Sequence, residues 1–356
     1  MQNLIKIQTK KYPMIRKTFL LLFLLSSVLA YSQASSDSAS FFLQKGRQEK
    51  LEGRKMQSMK SFEKALEFDA KNKIVISELA AISYDLRRYA QAIEHYKKLA
   101  ELGDASPDVY KQLMILSNNF KRHDDVIFYA KKLKEADPSE KVNYYIGKVY
   151  YDQENYGEAI KYLNEAAKEE PTNAEVPYMI ARSYADMQNY KQCIPYYLKA
   201  IEIDTAKYYW MYELGLMYYA INDSKNSLKY VKLAGDKGLK KDNSYMENLA
   251  IAYINVGQAN EGIAILQDIL KKKPSDISIL NLLAETYYDN KQYQEAMDHW
   301  DQILGYDKTN ASALYMIGMC YQKKGEKEKG MQLCDKAIEM DPSLRSLKTE
   351  KKLPGM

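Results

Sequence analysis

Cysteine and histidine are scarce in this chain, which contains 3 of each among its 356 residues. No CxxC spacing occurs, and this excludes the common zinc-ribbon and thioredoxin-like patterns. The HExxH, GxSxG, GxGxxG, GKS and GKT motifs are missing as well, so the familiar metalloprotease, hydrolase and nucleotide-binding sites lack their sequence signatures. We therefore predict that the chain is not an enzyme and holds neither a metal nor a cofactor.

The chain beyond its N-terminal segment also lacks an excess of charge of either sign. The whole chain has 52 Lys and Arg against 47 Asp and Glu, but five of the basic residues lie before residue 18. The rest of the chain is therefore balanced, with 47 residues of each sign. A protein that binds nucleic acid usually carries a basic patch or stripe, so we predict no nucleic-acid partner.

Those basic residues precede a short apolar run, Phe19–Leu25, which is followed by mostly small residues up to Ala30. This order is typical of a secretory signal peptide, and the run is shorter than the roughly 20 apolar residues that a membrane span needs. We predict a signal peptide over 1–32, with cleavage near 30–34 at a bond that the sequence does not fix. The mature chain is then exported across the inner membrane, is periplasmic or envelope-associated, and has no stable membrane span. An uncleaved N-terminal anchor is the alternative.

A block of about thirty-four residues recurs through most of the remaining chain, marked by the spacing of small and aromatic residues. Successive blocks contain Gly147, Tyr150, Ala159, Leu163 and Ala166; Ala181, Tyr184, Cys193, Tyr197 and Ala200; Gly215, Tyr218, Ser227, Val231 and Ala234; and Gly318, Tyr321, Gly330, Cys334 and Ala337. Blocks begin near residues 39, 73, 107, 140, 174, 208, 243, 277 and 311. A fixed period of this length indicates a repeat architecture.

The spacing resembles the tetratricopeptide repeat, a pair of antiparallel helices that stacks on its neighbours. The resemblance covers residues 39–344 and implies an all-α fold, a right-handed α-α superhelix (solenoid) of about nine helix-turn-helix repeats. Residues 345–356 are left as a polar C-terminal tail. Such arrays bind other chains, so the partner implied by the resemblance is a protein or a peptide.

The repeat that spans 174–207 illustrates the predicted unit. Its first helix runs from about Ala174 to Met187, and Asn189 marks the turn, where other repeats have glycine. Cys193 occupies a position that the repeat fills with a small buried residue, so we predict a core thiol there. Whether Cys320 and Cys334 form a disulfide is left open, because bridging requires Cα atoms within about 7 Å of each other.

Positions 2, 5, 9 and 12 of the first helix share one face, and in tetratricopeptide proteins this face lines the concave groove. In the fourth to sixth repeats it is rich in tyrosine and basic residues. The candidate binding residues are Lys141, Tyr144, Lys148, Tyr151, Tyr178, Arg182, Tyr209, Tyr212 and Tyr219. Tyrosine suits recognition because a stiff apolar ring carries a hydroxyl, and Lys or Arg beside it would hold a carboxylate. The alternative is that some of these tyrosines pack against the next repeat.

We therefore predict a non-catalytic protein-protein interaction scaffold that binds an extended or helical partner segment in the concave groove, in the assembly of a cell-envelope complex. Two alternatives stay open. The array acts as a structural spacer or self-associates without a groove ligand, or it is a carbohydrate-binding module of the envelope that uses the same tyrosines. The sequence indicates neither the partner nor the oligomeric state.

Overall fold

The computed structural model describes residues 37–350, and every regular element in that range is helical, as the all-α prediction requires. The predicted signal peptide lies outside the described residues. A helix covers 37–51 (α1), and it is followed by α2 (Lys55–Phe68), α3 (Lys73–Asp85), α4 (Tyr89–Glu101), α5 (Pro107–Asn119), α6 (His123–Ala136), α7 (Asn143–Asp152), α8 (Tyr156–Glu169), α9 (Glu175–Asp186), α10 (Tyr190–Ile203), α11 (Tyr208–Ala220), α12 (Ser224–Asp236), α13 (Asn243–Asn255), α14 (Ala259–Lys272), α15 (Ile277–Asp289), α16 (Tyr293–Tyr306), α17 (Ala311–Lys323), α18 (Lys327–Met340), a 3₁₀ turn (Pro342–Leu344) and α19 (Arg345–Glu350). None of the helices in this range is long and apolar enough to cross a membrane.

Consecutive helices pack in pairs, and within one compact part of the chain each pair packs on the next. Thus α9 packs against α10, α10 against α11, and α11 against α12, and the same order links α15 to α18. Of the described residues, those up to Ala166 form one compact unit and those from Ala167 form a second, and these are called here the N-terminal and C-terminal units. Each unit has its own buried cores, with Phe62 and Leu133 in the first and Tyr197 and Trp300 in the second.

The fourth repeat departs from the predicted helix start. Helix α7 begins at Asn143 rather than near 140, because Asp137 first closes a turn in which its side chain accepts hydrogen bonds from the backbone N–H and the hydroxyl of Ser139. Asp commonly competes with helix formation in this way. Lys141 consequently precedes the helix instead of lying on it, which corrects its predicted placement.

Small residues lie where paired helices cross, and Gly318 shows why. A Cβ atom there would lie 2.7 Å from the carbonyl oxygen of Gly330 and 2.8 Å from Sγ of Cys334. Both atoms belong to α18, so a larger residue would push the two helices of the repeat apart. The small positions of the repeat pattern are therefore a steric requirement of close helix packing.

A residue with positive φ lies in the turn between the paired helices of every repeat. These residues are Gly53, Arg87, Lys121, Glu154, Gln188, Asn222, Gly257, Lys291 and Gly325. In the fifth repeat the left-handed residue is Gln188 (φ 59°), whereas Asn189 precedes α10 with φ −84°. The prediction that Asn189 makes the turn is therefore wrong by one residue, since the left-handed conformation falls on the residue before the helix cap.

All three cysteines lie within the described residues, and none is in a disulfide. Cys193 is fully buried, which confirms it as a core thiol. Burial raises its pKa to about 11, and burial raises the pKa of Cys320 to about 12. A thiol must ionise to react as a nucleophile, so these two groups are held in an unreactive form.

Candidate protein-binding face

Helices α9 and α11, the first helices of neighbouring repeats in the C-terminal unit, contact each other through aromatic rings. The ring of Tyr178 on α9 stacks on Trp210 of α11, with centroids 4.4 Å apart and an interplanar angle of 17°. Trp210 is almost fully buried, and Nζ of Lys207 lies 4.8 Å from the centre of its ring. The stack therefore joins the two helices that carry the predicted binding residues of the fifth and sixth repeats.

Arg182 is held beside this stack by groups of its own unit. Its Nη1 donates a hydrogen bond to Oη of Tyr178 at 3.2 Å and lies 3.3 Å from Oε1 of Glu213. The hydroxyl of Tyr197 donates to the other carboxylate oxygen of Glu213, at 3.3 Å. Burial raises the pKa of Glu213, and burial together with the nearby Glu213 charge raises the pKa of Tyr178 to about 12. Arg182 therefore pairs with Glu213 of its own unit, whereas the sequence analysis predicted that it would hold a carboxylate of the ligand.

Tyr212 has a similar internal role between α11 and α13. Its hydroxyl accepts a hydrogen bond of 2.7 Å from Nδ2 of Asn248, and its ring lies 6.0 Å from that of Tyr245. The side chain is only partly exposed. Tyr178 and Tyr212 therefore both pack against the next repeat, which was the alternative to a direct role in binding.

Three exposed tyrosines of the C-terminal unit lie on α11. Tyr209 is 52% exposed and Tyr219 is 49% exposed. Tyr208, which the sequence analysis did not include, is 39% exposed at the start of the same helix. Glu213 is the one charged residue in α11, and a helix that is apolar nearly all round is normally buried. The run of tyrosines in α11 could have indicated Tyr208 as an exposed residue. It was not included because it lies at position 1 of the repeat, outside the four positions that were predicted to face the groove.

In the N-terminal unit, the candidate residues lie on and just before α7. Lys141 is exposed, whereas Tyr144, Lys148 and Tyr151 are partly buried. Tyr144 packs edge-on against Tyr145, with centroids 5.5 Å apart, and Tyr151 lies 5.7 Å from Tyr156. Tyr144, Lys148 and Tyr151 lie on the first helix of the fourth repeat, and Lys141 lies just before it.

The same face changes its charge further along the C-terminal unit. Position 9 of the repeat holds Arg182 in the fifth repeat but Glu285 in the eighth. Nε1 of Trp300 donates to Oδ1 of Asn281 at 2.9 Å, and Nδ2 of Asn281 donates to Glu285 at 2.7 Å. Burial raises the pKa of Glu285. This chain of hydrogen bonds was not predicted, although asparagine at position 5 in place of tyrosine was visible in the sequence.

The face offers rings, hydroxyl groups and fixed carboxylates, which are groups suited to stacking and hydrogen bonding. Among the side chains of the described region, no group of three His, Cys, Asp or Glu residues is arranged to hold a metal ion. The exposed tyrosines of α11 can therefore stack on another molecule and hydrogen-bond to it.

Comparison with known families finds three matching models. A tetratricopeptide repeat model matches residues 311–344, a second tetratricopeptide repeat model matches residues 248–304, and the model of the anaphase-promoting complex, cyclosome, subunit 3, matches residues 120–200. The matched segments fall in both units. They agree with the recurring thirty-four-residue spacing and with the paired helices.

Solved structures similar to this chain include YrrB, described as a TPR protein with an unusual peptide-binding site; it is 20% identical, with 53% of this chain and 98% of that chain covered and a TM-score of 0.43. MamA is also 20% identical, with coverages of 49% and 96% and a TM-score of 0.42. PilF of Pseudomonas aeruginosa is 16% identical, with coverages of 71% and 99% and a TM-score of 0.36. The repeat spacing, the helix pairing and the matched family models together identify the chain as a tetratricopeptide repeat protein.

Proposed function

We propose that this chain is a non-catalytic scaffold that binds an extended or helical segment of a partner protein along the first-helix face of its C-terminal unit. Tetratricopeptide repeat proteins generally mediate protein-protein interactions. The observation that carries the proposal is the exposure of Tyr209 and Tyr219 on α11, a helix with almost no polar face. Exposed aromatic surface of this kind is typical of interaction sites.

The tyrosines that pack against the next repeat and the exposed tyrosines have different roles in this proposal. Tyr178 and Tyr212 join neighbouring repeats, and Arg182 and Glu213 fix the orientation of the side chains between them. Tyr209 and Tyr219 provide the contact area for the partner. Because the supporting side chains are already ordered, binding costs less conformational entropy than it would on a mobile surface.

We further propose that the chain is exported and acts in the assembly of a cell-envelope complex. The support for export is the N-terminal sequence alone, with its basic residues followed by a short apolar run. Mass spectrometry of the protein purified from its native cells tests this step directly. A mature N-terminus near 30–34 is expected, and a protein recovered from the cytosol with its N-terminus intact would refute export.

The binding face is tested by photocrosslinking in native cells. A photoreactive phenylalanine analogue replaces Tyr209 or Tyr219 in the full chain, and in a matched control it replaces Tyr306. Tyr306 is 56% exposed but lies at the end of α16, a second helix of its repeat. We expect Tyr209 and Tyr219 to give the same crosslinked partner protein and Tyr306 to give none.

The identified partner then allows a direct measurement of affinity. Substituting serine for both Tyr209 and Tyr219 is expected to weaken its binding by about tenfold or more, because aromatic interface anchors commonly contribute over 1 kcal/mol each. Tyr306→Ser is the control for the loss of an exposed tyrosine. Equal affinity of the double variant and the wild type would move the binding site off α11 and favour the spacer role. Crosslinks to a second copy of this chain would instead indicate self-association.

A further inference from the structure

The turns between paired helices form an edge of the N-terminal unit, and its first three turns are basic. They read Gly53-Arg54-Lys55, Arg87-Arg88 and Lys121-Arg122. The corresponding turns of the C-terminal unit read Gln188-Asn189, Asn222-Asp223, Gly257-Gln258, Lys291-Gln292 and Gly325-Glu326. The basic turns are therefore a local feature and not a requirement of the repeat, because every one of these turns has a residue with positive φ whatever its charge.

Some of these basic side chains already have partners. Arg54 pairs with Glu52, Lys55 lies 3.6 Å from Asp85, and Arg122 lies 3.9 Å from Asp125. The three in the middle of the edge differ. Among the described residues, no carboxylate forms an ion pair with Arg87, Arg88 or Lys121. The centre of the edge therefore carries three basic side chains whose ion-pairing capacity is not used within their own unit.

Arg88 is nonetheless held in place. Its Nη1 and Nη2 each lie 3.6 Å from a thioether sulfur, of Met59 and Met56 respectively. Sulfur is a weak hydrogen-bond acceptor, whereas a carboxylate forms short, strong hydrogen bonds with a guanidinium group. The guanidinium is therefore oriented by weak contacts that leave most of its capacity to bind an anion unused.

A depression of about 460 Å³ opens at this point of the edge, lined by Arg87, Arg88, Tyr89, Ala90, Gln91 and Phe120. The ring of Phe120 lies 6.2 Å from that of Tyr89 and is 48% exposed. Tyr89 in turn packs edge-on against Tyr84 at 5.6 Å. The depression is open to solvent and combines the rings of Tyr89 and Phe120 with two arginines.

We propose that this depression and the basic turns around it form a second binding site, separate from the face on α11, for an acidic segment of a partner protein that carries an aromatic or large aliphatic residue. The partner's apolar side chain packs on Phe120 and Tyr89, and its flanking carboxylates pair with Arg87 and Arg88. Two arginines without ion-pair partners beside two exposed or half-exposed rings match an acidic protein segment that carries an apolar side chain. The balanced charge of the chain beyond the N-terminal segment argues against nucleic acid.

The test uses the full chain and a fluorescent synthetic peptide of alternating glutamate and phenylalanine. Fluorescence anisotropy at low salt is expected to show binding that weakens as NaCl is added, because salt screens exposed charges. Peptides in which glutamine replaces glutamate, or alanine replaces phenylalanine, are expected to bind more weakly. The first change removes the carboxylates that would pair with the arginines, and the second removes the rings that would pack on Phe120 and Tyr89.

Arg87→Gln with Arg88→Gln is expected to weaken binding by about tenfold or more, since hydrogen bonds to charged groups are among the stronger ones. Lys291→Gln is the matched control, because Lys291 occupies the equivalent turn position of the eighth repeat with φ 63°. The single variant Arg87→Gln controls for a folding defect, because it leaves the contacts of Arg88 with Met56 and Met59 in place. Circular dichroism establishes that each variant is folded.

Equal affinity of the wild type and the arginine variants, or no binding of the peptide at low salt, would overturn the proposal. Vesicles containing phosphatidylserine and single-stranded poly-dT are run in parallel. Arginine-dependent binding to either of these without binding to the peptide would also overturn it, in favour of a membrane or nucleic-acid site. The proposed function on α11 is unaffected by any of these outcomes, because the two sites share no residue.

Discussion

Tyr178 and Trp210 stack at 4.4 Å across the junction of the fifth and sixth repeats. This contact means that a residue on the predicted binding face also supports the fold. Replacing Tyr178 with alanine would remove the stack and expose Trp210, so a loss of binding in that variant would not locate the partner. Tyr209 and Tyr219 provide cleaner tests because about half of each side chain is exposed.

Glu213→Gln is expected to become more stable relative to the wild type as the pH rises from about 4 to about 7. Burial raises the pKa of Glu213, so in this range the folded wild type binds a proton that the unfolded chain has already released. The stability that this proton contributes is present at low pH and is lost as the pH rises through the raised pKa. Glutamine does not ionise, and therefore the unfolding free energy of the variant does not contain this pH-dependent contribution.

Urea unfolding at several pH values measures this difference. Glu202→Gln, at an exposed position of α10, is the control, and its stability is expected to follow that of the wild type. A constant difference in unfolding free energy between Glu213→Gln and the wild type across this range would show that the carboxyl group ionises normally.

Trp300→Ala is expected to destabilise the protein by about 3–5 kcal/mol, as for other large aromatic residues removed from a core. Trp300 is fully buried and donates a hydrogen bond to Asn281. Trp300→Phe keeps part of the packing and should cost less. The measurement is the midpoint of chemical unfolding, and a negligible shift for the alanine variant would contradict the burial of this side chain.

Lys291→Gly is expected to stabilise the protein by about 1 kcal/mol. Lys291 has φ 63°, a conformation that costs an L-residue roughly 1–2 kcal/mol but is freely available to glycine. Asn222→Gly is the matched control, since Asn222 has φ 61° at the same turn position and asparagine tolerates this conformation. Thermal unfolding should show a clear gain for Lys291→Gly and a smaller change for Asn222→Gly; the reverse order would contradict the role of backbone strain.

Gly318→Ala is expected to destabilise the protein by about 1–3 kcal/mol, because the new methyl group overpacks the crossing of α17 and α18. Gly305 provides a control within the helical part of the same unit. A Cβ atom there has no neighbour within 4 Å, so Gly305→Ala is expected to stabilise by about 0.5–1 kcal/mol through helix propensity alone. Opposite signs for the two substitutions in urea unfolding would confirm that the close contact, and not glycine itself, is what matters at Gly318.

The repeat pattern predicted the fold well because the spacing of small residues reflects helix crossings such as the one at Gly318. It was less successful for side-chain partners. Arg182 was predicted to face a ligand, whereas it pairs with Glu213 from the next repeat. Assigning positions to one helix face does not reveal which side chain of the neighbouring helix lies opposite.

A usable signal for those partners was present in the sequence. Ion pairs between neighbouring repeats join residues 28 to 32 positions apart, slightly less than one repeat length. They include Arg47 with Glu78, Lys50 with Glu78, Lys55 with Asp85, Lys97 with Asp125, Lys111 with Glu140, Glu175 with Lys207, and Arg182 with Glu213. Opposite charges at this separation therefore indicate which basic residues are already paired.

The left-handed turn residue has a consequence for how such a chain can diverge. Glycine, arginine, lysine, glutamate, glutamine and asparagine all occupy this position with positive φ, between 53° and 96°, so the packing of the helices, rather than the turn residue, determines the left-handed conformation. The position can therefore accumulate substitutions with little effect on the core. Each added repeat supplies one more such position, and an array can acquire a new surface charge by mutation at its turns while its helices stay unchanged.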